Sequence, residues 1–276
     1  MPIGPQQLKT LQAICDEAGR AIMQVYRRED VGIRQKDDNS PLTEADLAAN
    51  RIIEQGLGLL TPDIPRLSEE SGDEAFHQRR QWQRYWCIDP LDGTKEFINR
   101  NDEFTVNIAL IDAGRPLFGI IHMPVTGTSY WGGEGMGAWM QQADQAAEPI
   151  RCQPLGEKLT LIASRRHGQE KTAALLACLK DEFREIAEVN IGSSLKMCLI
   201  AEGKADLYPR LHPTSEWDTA AAQAIVEAAG GQLLDAHSLQ PLSYNQRDSL
   251  INPWFLVIGD PAFPLDRLVI EPPEDA

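Results

Sequence analysis

Asp89 and Asp92 stand three residues apart in the string Asp89-Pro90-Leu91-Asp92-Gly93-Thr94, just after the β-prone run Tyr85-Trp86-Cys87-Ile88. The run predicts a short strand that delivers Asp89, and Pro90, which has no N–H for a ladder, is expected to stop it. Gly93 allows a tight turn, and Thr94 takes the position of a helix N-cap. Two carboxylates at a strand end, with a helix start beyond them, suit hard cations and a phosphate together. The cations take oxygen ligands, and the phosphate takes the free N–H groups of the helix end. Two further acids occupy comparable places. Glu69, with Glu70 behind it, closes the run Arg66-Leu67-Ser68, and Asp218 begins the alanine-rich segment that runs to Ala229. Any one of these acids alone reads as a cap or a solvated charge. The weight lies in the combination.

Two Mg²⁺ ions held ~4 Å apart need bridging and terminal carboxylates. Asp89 at a strand end can bridge, Asp92 and Asp218 can serve one ion, and Glu69 with the Leu91 carbonyl can serve the other. One ion would lower the pKa of a bound water while the other stabilises the leaving oxygen. Thr94 is a candidate to orient that water and Asp46 to accept its proton. Asp46 also stands three residues after Thr43, where a capping box would use it.

The elements that must position these groups follow from periodicity. Leu8, Leu11, Cys15, Ala18, Ile22 and Val25 form one face of a long first helix. A second helix starts after Thr43, with Leu47, Ile52 or Ile53, and Leu59 or Leu60 facing inward, and ends at Thr61-Pro62-Asp63-Ile64-Pro65. Between Tyr85 and Trp139 the pattern changes to short strands split by Gly and Pro turns, and the glycine-rich stretch Gly132–Gly137 reads as a hairpin turn rather than a phosphate loop. A polar segment from Gln141 to Pro149 suggests a division into an α+β half, residues 1–145, and an α/β half, residues 146–276. The second half alternates strand Leu159–Ala163, helix Glu170–Lys180, strand Glu185–Val189, helix Ser194–Glu202, strand Ala205–Tyr208 and a helix from Asp218, with closing strands near Leu233 and Phe255–Ile258. That order predicts an α/β layer packed on an antiparallel sheet.

The 276 residues carry 41 acidic and 26 basic side chains, a net charge of −15, which argues against a nucleic-acid partner. It does not argue against a small phosphorylated substrate, because bound cations reverse the local sign. Five scattered cysteines without a C-x-x-C pair, no secretory leader pattern and no apolar run of ~18 residues predict a cytoplasmic protein without a membrane span. Monomer, homodimer and contact with a membrane surface stay open. G-x-S-x-G, Walker and paired-histidine motifs are absent, so acyl transfer, triphosphate hydrolysis and zinc chemistry have no support.

Glu69-Glu70-Ser71, Asp89-Pro90-Leu91-Asp92-Gly93-Thr94 and Trp217-Asp218-Thr219-Ala220-Ala221 resemble, in order and spacing, the three signatures of the inositol monophosphatase superfamily of magnesium-dependent, lithium-sensitive phosphatases. The resemblance runs from the first helix to about Ile258. It implies a layered α-β-α-β-α sandwich and metal ligation by Glu69, Asp89, the Leu91 carbonyl, Asp92 and Asp218. It also implies a Thr94–Asp46 pair at the attacking water and a third, weaker ion near Glu69 and Asp46. Asp92-Gly93-Thr94-Lys95-Glu96-Phe97, Gly192-Ser193-Ser194-Leu195-Lys196, Asp206-Leu207-Tyr208-Pro209-Arg210 and Pro213-Thr214-Ser215-Glu216-Trp217-Asp218 are similar to the 3′(2′),5′-bisphosphate nucleotidases of the bacterial CysQ type within it. The implied substrate is adenosine 3′,5′-bisphosphate, a by-product of sulfate assimilation, with its phosphosulfate as a second candidate. The implied catalytic residues are Asp46, Thr94 and Glu69, and the implied substrate-binding residues are Gly93, Thr94, Ser193, Lys196, Arg210 and Asp218.

Arg210 and His212 stand where a polyol-binding acid is expected in inositol phosphatases, and they suit a second phosphate. Ser193 and Lys196, one turn apart after Gly192, could converge on a 5′-phosphate with Arg210 adding a fork, and Ser164-Arg165-Arg166-His167 is a further candidate for nucleotide contact. Otherwise Ser193 is an N-cap and the two cations are solvated. An inositol or sugar monophosphatase, and a non-catalytic cation or nucleotide sensor, are the rival functions.

Overall fold

The computed structural model describes residues 3–35, 41–70, 76–163, 175, 177–268 and 270. The N-terminal helix α1 (Pro5–Tyr26) packs against α2 (Glu44–Leu60). α1 buries Leu11, Cys15, Ala18, Ile22 and Val25, as its periodicity predicts. In α2 the inward positions are Ala45, Ala49, Ile53 and Leu57. Leu60 packs on the core, whereas Leu59 is 81% exposed, so the ambiguous pair resolves to Leu60.

A seven-stranded sheet follows. In chain order its strands are β1 (Arg66–Ser68), β2 (Arg84–Asp92), β3 (Thr105–Asp112), β4 (Arg115–Met123), β5 (Thr128–Gly133), β6 (Gly137–Gln141) and β7 (Glu148–Ile150), each paired with the next. Only the β1–β2 pair is parallel. The Gly132–Gly137 stretch makes the β5–β6 hairpin, and β7 takes the end of the expected linker.

Strand alternation divides the side chains between two cores. Trp86, Ile88, Val106, Ile108, Leu110 and Ile120 join α1 and α2. Tyr85, Cys87, Ala109, Ile111 and Ile121 face the opposite way and meet two later helices, α3 (Leu195–Ala201) and α4 (Glu216–Ala228). The alanines of α4 allow a close approach: a Cβ on Gly119 would lie 2.1 Å from the Ala221 carbonyl oxygen. Only glycine fits there.

Behind these helices lies a five-stranded mixed sheet made of β8 (Lys158–Ala163), β9 (Glu185–Asn190), β10 (Leu207–Arg210), β11 (Gln232–Asp235) and β12 (Phe255–Ile258), in the spatial order β9-β8-β10-β12-β11. Its outer face packs with Leu175 and Leu179. The layers therefore run helices, sheet, helices, sheet, helical segment, which is the sandwich expected. Of the expected helix at 170–180, Leu175 and Ala177–Leu179 are helical and Lys180 is in a turn, while the rest of it and Ser164–His167 lie outside the described residues.

Candidate active site

Asp89 and Asp92 sit at the end of β2, but Pro90 does not stop the strand. Asp89 pairs with Asn107, the register shifts, and pairing resumes at Asp92 opposite Thr105. The missing N–H is absorbed by a bulge, which turns both carboxylates toward one spot. Asp89 Oδ1 accepts the Leu91 N–H at 3.0 Å. The expected N-cap moves by one residue: Gly93 caps the five-residue helix Thr94–Ile98, at φ 93°. A Cβ there would meet the Glu103 carbonyl oxygen at 3.0 Å and Ser193 Cβ at 3.3 Å, so Gly93 serves both backbone angle and close packing.

Asp218 arrives from the other side of the sheet. α4 begins two residues earlier than expected, at Glu216, and Asp218 holds the third helical position, where its Oδ2 accepts the Ser215 N–H at 2.8 Å. Carboxylate oxygens of Asp89, Asp92 and Asp218 lie within 4.8 Å of one another. Glu69, whose N–H donates to the Ile88 carbonyl at 3.2 Å, brings its carboxyl to Asp89 by a hydrogen bond.

This crowding has an electrostatic consequence. Burial, then the charges of Glu69, Asp92 and Asp218, hold the Asp89 carboxyl well above the usual range. Burial, with Asp92 and Glu69, pushes Asp218 up to about 8. The hydrogen-bond donors given to these carboxylates are neutral: the N–H groups of Leu91, Ser194 and Ser215, the Ser194 hydroxyl and the Asn107 amide. An all-oxygen donor set of buried and half-buried, mutually repelling acids fits hard divalent cations.

Asp46 serves both of its candidate uses at once. Its Oδ2 accepts the Thr43 N–H at 2.7 Å and the Thr43 hydroxyl, closing the capping box of α2, while its Oδ1 accepts the Thr94 hydroxyl at 3.3 Å. The Thr94 hydroxyl also lies 3.3 Å from the Leu91 carbonyl. Burial raises the Asp46 carboxyl against the lowering by Thr43.

A cleft of about 210 Å³ opens beside the acids, and Asp92, Gly93, Ser193, Lys196, Arg210 and Asp218 all line it. The turn before α3 differs in detail from expectation. Ser194, not Ser193, is the N-cap residue, and Ser193 takes a left-handed conformation at φ 47°. Lys196 is 9% exposed, its ammonium donating to the Ser193 carbonyl at 3.2 Å and standing 5.8 Å from the Tyr208 ring centre. Arg210 donates from Nη2 to the Pro213 carbonyl at 3.3 Å, and its Nε is buried without a hydrogen-bond partner. His212 is exposed and does not line the cleft.

Three residues that sequence reasoning missed shape the site. Asn107 bonds Asp92 and Ser194, Ser194 bonds Asp92, and Glu103 Oε2 accepts the Gly192 N–H at 2.6 Å. The Asn107 signal was an amide inside the apolar run Val106–Ile111.

The model of the inositol monophosphatase family matches residues 6–257. The chain belongs to that family. Among its relatives, the 3′(2′),5′-bisphosphate nucleotidase CysQ of Escherichia coli strain K12 is 46% identical over 254 residues, 90% of this chain and 98% of that one. The protein of the same name from Haemophilus influenzae is 38% identical, covering 93% and 94%. The crystal structure of CysQ from Bacteroides thetaiotaomicron, described as a bacterial member of the family, superposes with a TM-score of 0.80 at 39% identity, covering 92% of this chain and 97% of that one. Family members share this sandwich, and among the described residues no helix is long and apolar enough to cross a membrane.

Proposed function

We propose that this chain is a 3′(2′),5′-bisphosphate nucleotidase that removes the 3′-phosphate of adenosine 3′,5′-bisphosphate, giving AMP and phosphate, with two or three Mg²⁺ ions as cofactor. The single observation that carries the substrate class is the meeting, in one cleft, of an acidic wall (Asp92, Asp218) and a cationic wall (Lys196, Arg210). Identity of 46% to curated nucleotidases supports the same reading. A polyol monophosphate would leave the second wall without a partner.

The residues divide the work. Glu69, Asp89, the Leu91 carbonyl, Asp92 and Asp218 would hold the cations. Bound there, the cations supply Lewis-acid stabilisation of the phosphoryl oxygens and an acidified water. Asp46 and Thr94, in contact through Oδ1 and the hydroxyl, are set to take and relay a proton beside the Leu91 carbonyl. Gly93, which packs the turn against Glu103 and Ser193, would offer its backbone at the cleft wall to a phosphate. Ser193, Lys196 and Arg210 would bind the 5′-phosphate, whose oxygens would replace the backbone carbonyls that the two cations now use. The five cysteines are thiols, which suits a cytoplasmic setting.

The test is hydrolysis of adenosine 3′,5′-bisphosphate with Mg²⁺, read as phosphate released and nucleotide formed. The expected product is 5′-AMP, with no release in EDTA. Undiminished activity in EDTA, or 3′-AMP as product, sinks the proposal.

A further inference from the structure

Ser194 occupies the N-cap position of α3 yet makes no side-chain cap bond to it. Its hydroxyl turns inward instead. Fully buried at 0% exposure, Ser194 meets Asp92 Oδ2 twice, through its N–H and its hydroxyl, each at 2.5 Å. The same oxygen lies 3.5 Å from Asn107 Nδ2, which also donates to the Ser194 Oγ at 2.9 Å. The Asp218 backbone carbonyl stands 3.0 Å from that Oγ. A hydroxyl has one proton. With Asn107 donating to Oγ, that proton bonds either Asp92 or the Asp218 backbone, so Ser194 joins two segments that carry proposed cation ligands. The donors converge on Oδ2 of Asp92, so Oδ1 would be the oxygen offered to a cation.

The neighbouring residues of the same turn face the cleft. Ser193 is held in the left-handed region, a costly conformation for a residue with a side chain, and its carbonyl accepts the Lys196 ammonium. The Gly192 N–H is tied to Glu103, and a Cβ on Gly192 would lie 2.7 Å from Glu96 Cγ, so the turn has little freedom to move by parts. One five-residue turn thus presents Ser193 and Lys196 to an anion and Ser194 to a cation ligand.

We propose that Ser194 is a positioning residue that couples the two sides: an anion ordering the turn Gly192–Lys196 fixes Asp92 through Ser194 and tightens cation binding. The coupling is reciprocal, so cations tighten nucleotide binding by the same factor. It rests on the nucleotidase reading above and adds a dependence of one subsite on the other.

Mn²⁺ is the probe, with free ion counted by electron paramagnetic resonance, with and without 5′-AMP. The wild-type chain should bind Mn²⁺ more tightly when AMP is present. Ser194→Ala should weaken Mn²⁺ binding roughly 10–100-fold, the usual effect of losing a group that orients a metal ligand. It should also abolish the AMP enhancement and, because the buried hydroxyl's bonds to Asp92, Asn107 and the Asp218 carbonyl go with it, lower the thermal midpoint of the metal-free protein by a few degrees. Ser194→Thr, which keeps the hydroxyl, should restore both. Should the alanine variant fold poorly, Ser194→Cys fills the space with a weaker donor and should show the same double loss. Wild-type-like Mn²⁺ affinity and AMP response in Ser194→Ala or Ser194→Cys overturns the coupling alone, as does a wild type that binds Mn²⁺ with no response to AMP. A wild type that binds no Mn²⁺ overturns the metal-dependent reading as well.

Discussion

The two walls of the cleft are built on opposite principles. The acidic wall is contributed by distant segments and crowded: buried Asp89 and half-buried Asp92 and Asp218 approach within 4.8 Å, and desolvation with mutual repulsion raises the Asp89 and Asp218 carboxyls. The cationic wall is spread out, and its charges rest on neutral carbonyls, Lys196 on Ser193 and Arg210 on Pro213. The first is a preassembled cage whose repulsion a cation relieves. The second is a pair of long side chains whose present partners are neutral carbonyls that a phosphate would replace. Chemistry is thus assigned to the acidic wall and selection to the cationic one.

Substitution in the acidic wall should separate the two most sharply. Asp89→Asn removes the central carboxylate and should lower kcat on the order of 10³-fold, since a bound metal contributes several kcal/mol of transition-state stabilisation. Without metal ions, nucleotide binding, read as the shift in Tm caused by AMP, should match that of the wild type. Loss of the metal-free AMP shift as well, in a folded variant, would show that the cationic wall depends on the acidic carboxylates themselves.

A smaller effect follows from titration. In the folded, metal-free chain Asp218 holds its proton to about pH 8, whereas in the unfolded chain the same carboxyl loses it near its ordinary value of 3.8. Between those limits the folded state binds more protons, so stability falls as pH rises and levels off above about 8. Asp89, raised for the same reasons, adds to the slope. Metal-free protein should therefore melt several degrees lower at about pH 8 than at about pH 5.5, and saturating Mg²⁺ should flatten or reverse the trend. A metal-free Tm that climbs over that interval would contradict the crowding of the acids.

How much could be read from the sequence follows the same division. The acids were legible because each sits at a strand end or helix start that local patterning marks, and because Asp89-Pro90-Leu91-Asp92-Gly93-Thr94 is contiguous. The helices and most strands followed from periodicity. The bulge at Pro90 was not legible, since pairing of Asp92 with Thr105 is decided by the neighbouring strand. Ser194 was passed over for Ser193 because a serine doublet before a helix does not reveal its cap. The answer lay in contacts to Asp92, 102 residues away in sequence, and to Asn107, 87 away. Asp46 looked like a choice between capping and catalysis only because one-dimensional spacing hides that a carboxylate has two oxygens.

The most direct measurement of the central claim is the ratio of kcat/KM for adenosine 3′,5′-bisphosphate to that for inositol 1-phosphate, in the wild type and in Lys196→Ala, with Mg²⁺. A buried charge-assisted hydrogen bond is worth about 1.5–3 kcal/mol, so the ratio should favour the nucleotide in the wild type and drop roughly 10–150-fold in the variant, through the nucleotide's KM. A wild type that prefers inositol 1-phosphate, or an unchanged ratio in the variant, would contradict the assignment of selection to the cationic wall.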